Sequence, residues 1–156
     1  MAKSRANGAV RERQAGRLPL ITMLGQLDRH ASRMLESVLS QHGLTVDQWR
    51  ALDLLADGKG HPMSELAATL VVPGATLTKI MDKLVDFSYV YRLVDDEDRR
   101  RVLAFMSDKG AAVHAELTAA ISALEDEFLA CLADSDSFVA MVSQLSEDLT
   151  GDRRGR

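Results

Sequence analysis

The sequence predicts a mainly α-helical chain interrupted once by a two-stranded β-hairpin. Two observations lead there. Apolar residues recur at helical steps of three and four through most of the stretch from Leu20 to Leu149. The period changes to two only between Tyr89 and Met106, where two short runs flank a polar loop. Glycine and proline stand at the breaks between the runs, at Gly43, Gly58, Gly60 and Pro73-Gly74.

Each element has its own signal. The first 16 residues lack periodicity and read as a flexible basic tail; residues 1–20 hold Lys3, Arg5, Arg11, Arg13 and Arg17 against Glu12 alone. From Leu20 to Leu39 an apolar stripe marks a long amphipathic helix, and Gly43 stops it. Thr45-Val46-Asp47-Gln48 is a capping box that opens a short helix burying Trp49, Leu52 and Leu55. Ser64 to Leu70 forms another short helix. Val71-Val72-Pro73-Gly74 is a tight break, with proline suited to a first helical turn, and Ala75 to Phe87 is the next helix. Tyr89–Val94 and Arg101–Met106 are the strands, joined by Asp95-Asp96-Glu97-Asp98-Arg99-Arg100. Ser107 caps the following helix, with Asp108 in its first turn. That helix carries Val113 to Leu132 on one stripe, and a last one carries Phe138 to Leu149.

Size and composition bound the rest. A chain of 156 residues, 46% hydrophobic and 27% charged, makes one ordinary domain or a small domain with helical extensions. It can bury a core without disulfides or metals, and its one cysteine excludes an intramolecular disulfide framework. A reducing, cytoplasmic setting follows as the expectation. No apolar run approaches a membrane span, and no signal-peptide h-region follows the basic start. The formal net charge is −4, which taken alone speaks against nucleic acid. The acid is concentrated in residues 108–150, however, where Lys109 is the only lysine or arginine. The middle of the chain is left to present a cationic face.

Residues 63–106 carry the function. Two short helices joined by a tight break, then a two-stranded hairpin, make a helix-turn-helix with a wing. The second helix of such a pair enters the DNA major groove. Ser64 lies at the start of the first of these helices, and Gly74 at the start of the second. Thr76, Thr78, Lys79 and Lys83 lie opposite Leu77, Ile80 and Leu84, placed to meet phosphates or base edges. Arg99, Arg100 and Arg101 follow the loop acids, and a guanidinium at a loop tip suits the narrow minor groove. The competing reading is that these arginines only neutralise Asp95, Asp96, Glu97 and Asp98. A mixed outcome is expected, with one acid bracing one arginine while another projects.

The runs Thr45–Leu52, Met63–Ala67, Ala75–Lys79 and Asp98–Leu103 resemble the MarR family of bacterial regulators over about Leu20 to Leu149. The resemblance implies a winged helix (45–107) flanked by N- and C-terminal dimerisation helices (17–44 and 108–150), with a tail from 151. It implies a cytoplasmic homodimer that represses transcription from a pseudo-palindromic double-stranded operator. Arg100 would enter the minor groove, held by an ion pair from Asp98, with Arg99 or Arg101 sharing phosphate contact. A small aromatic or anionic effector, its contacts unassigned, would bind between the dimer helices and the DNA-binding lobe. The chain departs from the family pattern at Pro73-Gly74, which gives neither an oxygen cap nor a base-reading side chain, and at Phe87-Ser88-Tyr89, where relatives have a glycine. Thr76, Thr78 and Lys79 would then carry more of the readout.

No catalytic signature is present, and neither a metal nor a cofactor is expected. Cys131 falls on the apolar stripe beside Phe128 and Leu132 and reads as a buried structural residue. Trp49 is expected to pack against the first helix, and His30, His42, His61 and His114 are expected to be scattered surface or capping residues. The alternative function is a winged-helix protein-interaction module whose acidic C-terminal helices form the partner surface.

Overall fold

A computed structural model describes residues 18–151. The expected N-terminal tail lies outside them, as does the C-terminal tail except Gly151, which ends the last helix. The chain runs α1 (Leu20–Leu39), a 3₁₀ turn (Ser40–His42), α2 (Val46–Asp53), β1 (His61–Pro62) and α3 (Met63–Thr69). It continues with α4 (Gly74–Asp86), β2 (Val90–Val94), β3 (Val102–Met106), α5 (Asp108–Leu129) and α6 (Ser135–Gly151).

The local signals act where the sequence puts them. At α2 the Thr45 hydroxyl accepts from the Gln48 amide while the Gln48 side chain accepts from the Thr45 amide, closing the capping box. At α5 the Ser107 hydroxyl accepts from the Gly110 amide. The hairpin pairs Val90 with Met106 through to Val94 with Val102. One strand was not expected: β1 pairs antiparallel with β3, His61 opposite Ala104 and Pro62 opposite Leu103, giving the order β1-β3-β2. Two residues are too few to show a period of two.

The core is built from the winged-helix lobe. Leu39, Leu52, Leu55, Leu66, Leu77, Met81, Leu84 and Leu117 are its largest fully buried side chains. Each removes apolar surface from water worth roughly 1.5–3 kcal/mol. The long end helices join this core at their inner ends through Leu39 on α1 and through Leu117 and Ile121 on α5. Their outer parts leave Leu20, Ile21, Leu24, Met141, Val142 and Leu145 exposed.

Polar side chains fasten the end helices to the lobe. Arg50 of α2 meets Asp28 of α1 at 2.9 Å. His42 lies 3.7 Å from Glu116, and His114 Nε2 lies 2.8 Å from Asp53 Oδ1. Trp49 stacks on the His114 imidazole at 4.9 Å between ring centroids. Its ring partner therefore sits on α5, and Trp49 shares the core cluster with Leu39 of α1 as expected of it. His61 pairs with Asp57 at 2.9 Å; that contact, with the Lys59 amide, holds the Asp57 carboxyl below the usual carboxylate range.

Cys131 departs from expectation. Helix α5 ends at Leu129, so Cys131 falls in the connection to α6 and is exposed, its thiol 3.7 Å from the Glu127 carbonyl. The apolar stripe in the sequence continues past the end of the helix that carries it.

Candidate nucleic-acid interface

Helices α3 and α4 are joined by a four-residue turn whose geometry is set by the end of α3. The Val72 amide donates to the Ala67 carbonyl and the Val71 amide to the Ala68 carbonyl, which leaves Val71 left-handed at φ 56°. Pro73 takes the N-cap position of α4 with extended backbone, one place earlier than the first-turn role expected of it. No side chain caps α4; the Thr76 and Leu77 amides both donate to the Pro73 carbonyl. Gly74 opens the helix and has open space where a Cβ would stand. The first turn of α4 is thus bare and exposed, a surface that another molecule's backbone can approach closely.

Beyond that turn α4 divides into two faces. Leu77, Ile80, Met81 and Leu84 are buried, while Thr76, Thr78, Lys79 and Lys83 are exposed. The exposed four are not equivalent. The Thr78 hydroxyl donates back to the Gly74 carbonyl at 3.0 Å, so its proton is committed to its own helix. Lys83 reaches Asp86 at 3.2 Å, an exposed pair of small worth. Thr76 and Lys79 have no side-chain partner among the described residues.

The wing loop sorts its charges as a mixed arrangement. The Asp95 amide donates to the Arg101 carbonyl at 3.0 Å and the Arg101 amide to the Asp98 carbonyl at 2.8 Å, closing the loop. Half-buried Asp95 lies 3.8 Å from the Arg101 guanidinium. Asp98 was expected to hold Arg100 by an ion pair. It does so through the main chain instead, its carboxylate accepting from the Arg100 amide at 3.0 Å. An Asp two residues before its donor amide reaches that amide more readily than a flexible guanidinium. Arg99 and Arg100 consequently make no ion pair with any described residue, and both are exposed at the tip.

Helix and wing meet around one cleft of about 370 Å³. It brings together Ser64 from the start of α3, Thr78 from α4, and Arg100 and Arg101 from the wing. Gly74, Thr76, Lys79 and Lys83 continue the surface along α4, and Arg99 lies beyond the cleft on the loop. Pro62, Met63, Val102 and Arg92 complete the lining, and of these the charged one escaped the sequence reading. Arg92 of β2 donates to Asp82 Oδ1 at 2.8 Å and to the Thr78 carbonyl at 3.4 Å. Its signal was a charged residue at an inward position of an alternating strand.

A second cavity, of about 420 Å³, lies between α1 and the last two helices. Met34 and Leu35, with Leu124, Phe128 and Val139, make it apolar, and Glu125 is its one charged lining residue. No cluster of His, Cys, Asp or Glu able to hold a metal occurs among the described residues, and none of their helices is long and apolar enough to cross a membrane.

Residues 42–101 match the sequence profile of the MarR family. The transcriptional repressor YetL of Bacillus subtilis (strain 168) is 28% identical over 87% of this chain and 84% of its own length. The multiple antibiotic resistance protein MarR of Escherichia coli (strain K12) is 29% identical over 62% of this chain and 67% of its own. Among solved structures, the apo form of wild-type MarR from E. coli superposes with a TM-score of 0.69 at 26% identity, covering 85% of this chain and 97% of that one. NadR in complex with 4-hydroxyphenylacetate gives 0.75 at 22% identity, covering 86% and 94%.

Proposed function

Because this chain belongs to the MarR family of winged-helix transcription regulators, we propose that it is a homodimeric repressor that reads a pseudo-palindromic operator. Helix α4 serves as the recognition helix and the Arg99–Arg100 tip reaches the neighbouring minor groove. The observation that carries this reading is the cleft in which Ser64, Thr78, Arg100 and Arg101 converge from three elements. A major-groove element and a minor-groove element are thereby set side by side.

The roles follow from the local chemistry. Thr76 and Lys79, with no side-chain partner among the described residues, are the free readers on α4. The bare turn at Gly74 admits the phosphate backbone to the helix N-terminus, where the peptide dipoles favour negative charge. Thr78 and Ser64 offer hydroxyl oxygens at the cleft, and Lys83 supplies charge further along the helix. Asp98 braces the tip. The exposed apolar surface of the outer α1 and of α6 is buried against a second copy, which sets the recognition helices about one helical turn of DNA apart, roughly 34–36 Å. A small aromatic or anionic effector releases DNA by preferring a dimer whose helices are set at another spacing; support for such regulation is a relative in the fold captured with 4-hydroxyphenylacetate.

The test is binding to fragments of the protein's own upstream region, with competitor DNA, at two salt concentrations. A specific complex that weakens with salt is the expected result. A well-folded dimer that binds no fragment specifically would favour the interaction-module alternative, with the acidic C-terminal helices as its surface.

A further inference from the structure

We propose that Arg92 is a positioning residue for DNA recognition, fixing the recognition helix and the wing at one angle and spacing without itself touching the duplex. The proposal rests on the reading of the protein as a DNA-binding regulator.

Arg92 pairs with Ala104 across the sheet, on the face where Val90 and Ala104 are buried. Alternation along β2 therefore turns the guanidinium toward α4 instead of solvent. There it donates from Nη1 to Asp82 Oδ1 at 2.8 Å and from Nη2 to the Thr78 carbonyl at 3.4 Å. Thr78 and Asp82 stand four residues apart, about one turn of helix. A rigid planar fork that bridges a turn restrains both the rotation and the sliding of α4 against the strand, which a single flexible ammonium cannot do. The side chain is 27% exposed, against 51% for Arg101. Its Nε is buried with no partner among the described residues. An orphaned buried donor opposes stability, so placement of the fork, more than stability, explains an arginine here.

The need for such a clip follows from the two-groove arrangement. A two-stranded hairpin is marginally stable by itself, and β1 adds only two residues to the sheet. A wing free to swing would meet the minor groove at a fraction of its orientations once α4 was seated. Holding it in place beforehand removes that ordering cost from binding. The fork lines the same cleft as Thr78 of α4 and Arg100 of the loop, so it stands where the two reading elements meet.

The experiment uses the full chain and a duplex enriched by the wild-type protein from a random-sequence pool. Affinity is measured across a salt series for Arg92→Gln, Asp82→Ala and their combination, with thermal unfolding of each in parallel. A positioning role predicts roughly tenfold weaker binding for Arg92→Gln (about 1.4 kcal/mol) with the salt slope unchanged. Asp82→Ala gives the sharper contrast. It removes a negative charge from a helix that faces DNA, so simple electrostatics predicts tighter binding, whereas loss of the clip predicts weaker binding. The double variant is expected to be no weaker than the weaker single variant. Should Arg92→Gln fail to fold, Asp82→Ala and Arg92→Lys, which keeps the charge and loses the fork, are both still expected to bind more weakly than wild type. Tighter binding by Asp82→Ala, a salt slope lower by about 0.9 in Arg92→Gln, or additive losses in the double variant would overturn the proposal. A wild-type protein that enriches no duplex removes the DNA-binding reading itself, and the clip with it.

Discussion

The winged-helix lobe and the outer parts of the end helices treat their apolar residues in opposite ways. Within the lobe Leu52, Leu55, Leu66, Leu77, Met81 and Leu84 are removed from water by contacts inside one chain. On the outer helices Ile21 remains 78% exposed and Met141 64% exposed, although apolar residues recur along both helices at steps of three and four. A monomer rarely leaves so continuous an apolar surface in water. The same helical pattern thus serves two ends: in the lobe it closes a core, and at the ends it leaves an apolar face open, which the proposed dimer would bury. In the proposed dimer the lobe would hold its reading surface from within, and the end helices would set how far apart two such surfaces stand.

The largest expected effect tests the lobe half of this contrast. Leu84→Ala empties a fully buried site on α4 and is expected to cost about 2–5 kcal/mol of unfolding free energy. Denaturant titration measures it, and the loss should not depend on protein concentration. Val142→Asp, at a half-exposed position of α6, should behave in the opposite way. In an isolated chain it costs little. In a dimer it places a charge in an apolar seam, and sedimentation at micromolar concentration should show dissociation with the lobe still folded. If Val142→Asp sediments as the wild type does, the outer face of α6 is not the dimer seam.

Arg100→Ala probes the reading surface alone. It should weaken DNA binding by about tenfold and lower the log–log salt slope by about 0.9 for each phosphate that the guanidinium neutralises, leaving oligomeric state and unfolding unchanged. Equal affinity and slope would show that the wing tip touches no DNA.

How legible these regions are in the sequence follows from the range of the interactions that build them. The Thr45–Gln48 capping box, the Ser107 cap and the existence of the β2–β3 hairpin could be read directly, because each is set by residues within a few positions of one another or by a period repeated several times; the pairing of Val94 with Val102, which leaves Arg101 in the loop, could not. The arrangement around Asp98 was half legible. The pairing of acid with wing was visible in composition, but the choice of the Arg100 amide over its guanidinium is decided by loop geometry. The third strand, the stacking of Trp49 on His114 and the clip from Arg92 to Asp82 join segments distant in sequence, and nothing local announces them. Cys131 was misplaced because a helix end without glycine or proline leaves an apolar stripe with no visible stop.

The same blindness applies to backbone handedness, and it yields the smallest prediction. Three helical segments in and before the lobe end with the same pair of main-chain hydrogen bonds around a left-handed residue. After the first helix that residue is Gly43, at φ 66°; after α3 it is Val71, and after α4 it is Ser88, at φ 62°. Glycine adopts this conformation without strain, whereas a β-branched side chain crowds its own carbonyl there. Ser88 has compensation close at hand, since its carbonyl accepts from the Ser107 hydroxyl at 2.7 Å and the Tyr89 carbonyl accepts from the Ser107 amide at 2.9 Å. Val71 has none of this and is 66% exposed. Val71→Gly removes the strain and little packing, but frees the unfolded chain, so the two effects partly offset. The net gain is expected to be roughly 0.5–1 kcal/mol, read as a raised unfolding midpoint with the denaturant slope unchanged. Val71→Ala should gain less, since it loses the branch and keeps the Cβ. A loss of stability in Val71→Gly would mean that the valine side chain holds the turn between α3 and α4, and that the strain at φ 56° is offset by packing at the surface of the reading face.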